Sequence, residues 1–206
     1  MTAAGDRLII VADGPSAAGF VPPDGVPIMA VKGAILWLPR ADYWFSLDPN
    51  ARTFAMLARR RPGVRYAAAV PPEVELPEGV ERLERIAAEP NRTPMPPHNR
   101  GPEWWAWRLG AVTPLSEVPG RIHTGNSAWG ALGWAYHLGF RRVLLVGVDG
   151  TGQRRVSDGA RPRQLAHLPF LFEQALPQVD LASVSRLGRV PRVTLKEWLT
   201  DARARR

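Results

Sequence analysis

Leu8–Gly19 reads LIIVADGPSAAG. Four apolar residues run unbroken, and the chain then drops into Asp13, Gly14, Pro15 and Ser16. A short continuous apolar run is what a strand covered on both faces requires. Gly14 lets the backbone turn tightly and approach a ligand, and Ser16 suits the cap of a short helix whose N–H groups would face a phosphate. In an open parallel sheet, ligands bind outside the carboxyl ends of the strands. The stretch therefore predicts the first strand of such a sheet, with a ligand-facing turn after it.

Working outward, similar apolar runs recur. They are Pro27–Val31, Tyr43–Leu47, Val64–Val70, Val143–Val148 and the weaker Val179–Val184. Helical patterns lie between or after them. Ala51–Arg61 follows Asp48-Pro49-Asn50, a good helix start. Gly125–Leu138 is a strong helix with Thr124 as its expected cap, and its Gly and Ala residues would let it press closely on a sheet. Arg163–Leu176 and Leu195–Arg205 are further helices. Strands alternating with helices predict an α/β fold, a Rossmann-like three-layer sandwich with a mostly parallel sheet. Residues 1–206 are read as a single nucleotide-binding domain with a flap inserted at about 89–108. The flap begins with Glu89–Pro102, EPNRTPMPPHNRGP, whose five prolines exclude regular structure. Glu103–Arg108, EWWAWR, follows with three tryptophans, which favours an ordered flap over a loose linker.

Composition bounds the function. The chain is 45% hydrophobic and 22% charged, as ordinary globular proteins are. No apolar run approaches the ~18 residues of a membrane span. The start, MTAAGDRLIIV, lacks a basic stretch followed by a long apolar one, so no signal peptide is expected. Cysteine is absent, which excludes disulfides, thiolate metal sites and cysteine nucleophiles, and fits a cytoplasmic location. The net charge is +8, of which residues 140–206 carry +7. Such a skew suits a polyanionic partner or a phosphate-bearing substrate.

Three further motifs resemble the DGPS turn in position. Ser46–Pro49 (SLDP) ends the third strand, His123–Leu132 (HTGNSAWGAL) opens the glycine-rich helix, and Leu144–Gly152 (LLVGVDGTG) ends the clearest strand. All four would gather at one edge of the sheet. Taken in this order, they resemble the bacterial lipooligosaccharide sialyltransferases and a wider group with the same Rossmann-like core, which includes archaeal 6-hydroxymethylpterin diphosphokinases. The resemblance spans roughly residues 8–150, and the tail VDLASVSRLGRVPRVTLKEWL is similar to the closing strand of that group. It implies that Gly14, Pro15 and Ser16 lie against a nucleotide phosphate and ribose. It implies that Thr124, Gly125, Asn126 and Ser127 hold phosphate or base, and that Gly147 and Asp149 line the same pocket. Asp48 matches a position that is Asn or Asp in these relatives. The chain departs from the pattern at Asp13, usually Asn, and at Lys32, which replaces an Asn and adds a cation near the phosphate. The tyrosines and histidine that serve sialyl transfer have no clear match after Asp149.

The chemistry expected is glycosyl transfer from a nucleotide-activated sugar. No DxD occurs, so no metal site is assigned and no cofactor is expected beyond the donor itself. Such a transfer needs a base for the acceptor hydroxyl and cations for the leaving phosphate. His167 is the first candidate base, with Asp149 and Asp48 as catalytic carboxylates. Arg154, Arg155, Arg161 and Arg163 crowd the loop after Asp149 and suit phosphate oxygens. The acceptor is a glycan or a polyanion, with modified-base DNA as a specific case. The flap residues His98, Arg100, Trp104, Trp105, Trp107 and Arg108 interleave cations with aromatic faces. Two alternatives stay open. One is a Mg²⁺-dependent pyrophosphokinase using Asp13, Asp48 and Asp149. The other is a catalytically silent nucleotide-binding or phage-type accessory protein.

Overall fold

The computed structural model describes residues 6–97, 100–162 and 164–201. His98 and Arg163 lie outside them. The stretch that opens the chain forms β1 (Arg7–Val11), and Leu8 through Val11 are fully buried. The other strands are β2 (Ile28–Val31), β3 (Tyr43–Ser46), β4 (Arg65–Ala68), β5 (Val80–Arg82), β6 (Glu84–Ile86), β7 (Arg121–His123), β8 (Arg142–Val146) and β9 (Asp180–Ser183). Seven of them form one sheet in the order β5-β4-β3-β2-β1-β8-β9, and β6 pairs with β7 beside it. Every pairing is parallel. Parallel sheets are stable only when both faces are covered, which is why the central strands read as unbroken apolar runs.

The pleat sends alternate residues to opposite faces. Leu8, Ile10 and Phe45 meet α3 (Ser127–His137), α4 (Leu168–Gln174) and Ala106 of α2 (Pro102–Arg108) in one core. Ile9, Val11 and Trp44 meet Met56 and Leu57 of α1 (Ala51–Leu57) and Trp198 of α5 (Leu195–Thr200) in the other. The result is a Rossmann-like three-layer α/β sandwich. The small residues of α3 serve close packing: a Cβ on Gly130 would stand 2.7 Å from the Phe45 ring.

Several boundaries differ from the sequence expectation. Helix α3 is capped by Asn126, whose side chain accepts from the Ala128 N–H at 2.7 Å, not by Thr124. The Thr124 hydroxyl instead donates to Gly110 O at 2.7 Å in the interior. Helix α4 begins at Leu168 rather than Arg163, with Pro169 in its first turn, where proline is tolerated. Helix α5 ends at Thr200, and residues 202–206 lie outside the described part. The flap is more regular than five prolines suggest. A short 3-10 turn covers Pro90–Arg92, and Pro102 starts α2 in the first turn, where proline loses no helical hydrogen bond.

Candidate functional site

The sheet order reverses at β1. The chain steps outward from β1 through β2 to β5, and returns on the other side as β8 and β9. A cleft of about 420 Å³ opens at the carboxyl ends of the strands at this switch point, where α/β sheets place their ligands. Gly14, Asp48, Gly125 and Asp149, from four separate motifs, all line it.

Its floor is made by the turns after β1 and β8. The Gly14 N–H donates to Gly147 O at 2.8 Å, the Gly147 N–H donates to Ser16 Oγ at 3.0 Å, and the Ser16 N–H donates to Asp149 Oδ2 at 3.0 Å. Glycine at position 14 is dictated by this contact, since a Cβ there would stand 2.5 Å from Gly147 O and collide with the Asp149 carboxylate. Gly147 has φ 72°, the left-handed region that favours glycine. Ser16 thus acts beneath the cleft, whereas Asp13, Gly14 and Pro15 line it.

One wall is the amino end of α3, an eleven-residue helix. Gly125, Asn126, Ser127 and Ala128 face the cleft, and the positive end of the helix dipole opens onto it. The Ser127 hydroxyl accepts from the Leu47 N–H at 3.2 Å, which ties α3 to the end of β3 and leaves the hydroxyl proton free to donate. Gly125 owes its identity to packing: a Cβ would sit 2.6 Å from Leu171 Cδ1 and 3.1 Å from Trp129 Cδ1. Thr124 is buried behind this wall.

The opposite wall carries Lys32, which has φ 51°. A non-glycine residue in the left-handed region is costly and persists only when its surroundings impose it. Here the Trp44 indole N–H donates to Lys32 O at 2.9 Å and pins the backbone. The Lys32 ammonium pairs with Asp48. Asp13 is held from two sides, accepting from Trp37 Nε1 at 2.9 Å and from Ser157 Oγ at 2.8 Å.

His167 forms the back. It is only 1% exposed, and its Nε2–H donates to Gly125 O at 3.1 Å. That bond fixes the neutral tautomer with a lone pair on Nδ1, and Nδ1 is buried with no protein partner among the described residues. Burial pushes the imidazole below its ordinary range, and the Gly125 carbonyl offsets part of this. Thr151 of the Leu144–Gly152 motif and Arg155 of the arginine-rich loop also line it, together with Gln153 and Gln164, which no sequence motif singled out. Their loop is anchored across the sheet edge. The Val156 N–H donates to Asp13 O at 2.8 Å, and Arg52 binds Ser157 Oγ at 2.9 Å and pairs with Asp158.

The flap stands apart from this lining. Leu109, just beyond α2, reaches the cleft, but Arg100, Trp104, Trp105 and Arg108 do not line it. Trp104 packs edge-on against Trp105 with centroids 4.8 Å apart, and the Trp107 N–H donates to Thr93 Oγ1 at 2.9 Å. Arg100 and Arg108 are exposed. Among the described residues, no group of three His, Asp or Glu side chains gathers closely enough to hold a metal ion, and no helix is long and apolar enough to cross a membrane.

Comparison with protein-family models and with curated proteins gives no match. Among solved structures, the chain is similar to the MAf glycosyltransferase from Magnetospirillum magneticum AMB-1, with a TM-score of 0.55 and 16% identity. The match covers 92% of this chain and 34% of that one, so the chain spans about a third of that protein's length. At this identity the likeness is one of fold: nearly the whole chain has the Rossmann-like α/β arrangement of a region of a glycosyltransferase.

Proposed function

We propose that the protein is a glycosyltransferase that binds a nucleotide-activated sugar in the switch-point cleft. One observation carries the reading: the amino end of α3, the strained Lys32 and the buried His167 converge on a single cleft. The likeness to a glycosyltransferase fold supports it. The helix end and Lys32 suit the donor phosphate, and Gly14 and Pro15 suit its ribose.

In the transfer, the acceptor hydroxyl oxygen forms a bond to the anomeric carbon as the bond from that carbon to the donor phosphate oxygen breaks. The hydroxyl proton goes to His167 Nδ1, and the nucleotide leaves with the bonding electron pair. His167 is suited to this because burial keeps it neutral near pH 7 with its lone pair free. The leaving phosphate gains charge, which Lys32 and the helix end stabilise where it develops. The fold holds three strand-end aspartates that a Mg²⁺-dependent pyrophosphokinase would need. Each already accepts from a fixed donor: Asp13 from Trp37 and Ser157, Asp48 from Lys32, and Asp149 from the Ser16 N–H. This favours transfer of a sugar without a metal site.

The test is mass spectrometry of products after incubation with mixed nucleotide sugars and acceptors. A mass increment of one sugar on an acceptor, with nucleotide released, is expected. Donor left intact with every acceptor, or transfer of a pyrophosphoryl group from ATP, would overturn the reading.

A further inference from the structure

A second pocket of about 380 Å³ adjoins the donor cleft and shares Asp13, Lys32 and Arg155 with it. Its remaining lining includes Gly33, Arg52 and Thr53. Its lining thus gathers Lys32, Arg52 and Arg155, from the loop after β2, from α1 and from the loop after β8, beside the carboxylate of Asp13. The two arginines share one counter-charge, since both Arg52 and Arg155 pair with Asp158. Gly33 leaves room for the guanidinium, because a Cβ there would stand 2.8 Å from Arg52 Nη2.

Thr53 gives an independent pointer. Its side chain is 1% exposed, it lines the pocket, and its Oγ1 has no hydrogen-bond partner among the described residues. A buried hydroxyl left unpaired is costly, and a native one calls for an explanation.

We propose that this pocket is the acceptor subsite and that it binds a phosphate group of the acceptor, with Arg52 and Arg155 as cationic donors and the Thr53 hydroxyl as a neutral one. The inference rests on the glycosyltransferase reading for the word acceptor, but the phosphate site itself does not. Arginine forks match phosphate oxygens, and a hydroxyl donor completes a set that a planar carboxylate would use less fully. A ligand held here meets the donor cleft at Asp13, Lys32 and Arg155, the residues that the two pockets share.

The experiment is calorimetric titration of the full chain with inorganic phosphate, alone and with the donor cleft saturated by a nucleotide. Phosphate is expected to bind in both cases. Arg52→Ala should weaken it by about tenfold, the loss of one charge-assisted hydrogen bond. Thr53→Val should weaken it by about threefold to tenfold, the loss of one neutral hydrogen bond, with no loss of thermal stability, because valine keeps the shape and removes the unpaired hydroxyl. Acetate is expected to bind far more weakly. Competition by ribose 5-phosphate or by a short single-stranded oligonucleotide then tells a small acceptor from a nucleic acid. Four results would overturn the proposal: no phosphate binding, phosphate displaced by nucleotide, acetate bound as well as phosphate, or an affinity indifferent to both substitutions. Failure of nucleotide binding with phosphate binding intact would instead fall on the donor reading.

Discussion

His167 joins structure to chemistry most directly. Burial holds its pKa below the ordinary histidine value, with partial relief from Gly125. The unfolded chain would bind a proton that the folded chain refuses. Stability from this group is therefore complete above about pH 6.5 and falls as pH drops through that value toward the lowered folded pKa. Chemical denaturation across pH 7.5 to 5 should show this slope in the parent protein, and His167→Gln should flatten it. The same variant should retain nucleotide binding while turnover falls by about 10²- to 10⁴-fold, the usual worth of a general base. An unchanged rate would remove His167 from catalysis. Gly14 makes a different prediction. Gly14→Ala sets a methyl group against Gly147 O and the Asp149 carboxylate, backbone and bonded groups that cannot swing aside. A loss of about 1–3 kcal/mol is expected from denaturant unfolding.

At the scale of elements, two segments shape the site. The loop after β8 is strapped to the sheet edge through Asp13, Arg52 and Asp158. Burial raises the Asp158 pKa, but the Ala160 N–H and the flanking arginines outweigh it and hold the carboxylate below its ordinary value. Asp158→Asn should speed amide hydrogen exchange across residues 151–162 while global stability falls by no more than about 1 kcal/mol, since the pairs are partly exposed. Exchange as slow as in the parent protein would show that the strap does not rest on that carboxylate. The second segment is the turn at Lys32. Lys32→Gly relieves the left-handed backbone, worth about 1–2 kcal/mol, against a partly exposed ion pair worth about 0–1 kcal/mol. The variant should unfold no more easily, yet bind nucleotide about tenfold more weakly. Stability lost together with binding would mean that Lys32 serves the fold.

These elements also show what the sequence could tell. The β1, β2, β3 and β8 strands were legible because burial on both faces leaves continuous apolar runs. The glycine-rich start of α3 was legible because close packing on a sheet demands small residues. Strands β5, β6 and β7 were not foreseen: VER, ERI and RIH are short, mostly polar and partly exposed, and so carry no apolar run. The tryptophan stretch reads as part of an ordered flap without a helix of its own, although Pro102 at its start is a helix signal. The cleft residues on the four motifs could be gathered by topology alone. The bonds that complete the site could not, because Asp13 and Ser157 lie 144 residues apart and His167 and Gly125 lie 42 apart. Only the folded sheet edge brings them together. The second pocket was legible only in the residues it shares with the cleft, Asp13, Lys32 and Arg155, since Arg52 and Thr53 read as ordinary helix residues.

For the molecule as a whole, the proposed function requires the switch point at β1 to present a nucleotide-sugar cleft rather than a metal–ATP site. Isothermal titration with a panel of CMP, UDP, GDP and ATP, each with and without EDTA and Mg²⁺, tests this most directly. One pyrimidine or purine nucleotide of the sugar-donor class is expected to bind with one-to-one stoichiometry, and with the same affinity in EDTA. Binding confined to ATP and abolished by EDTA, or no binding of any of the four, would contradict it.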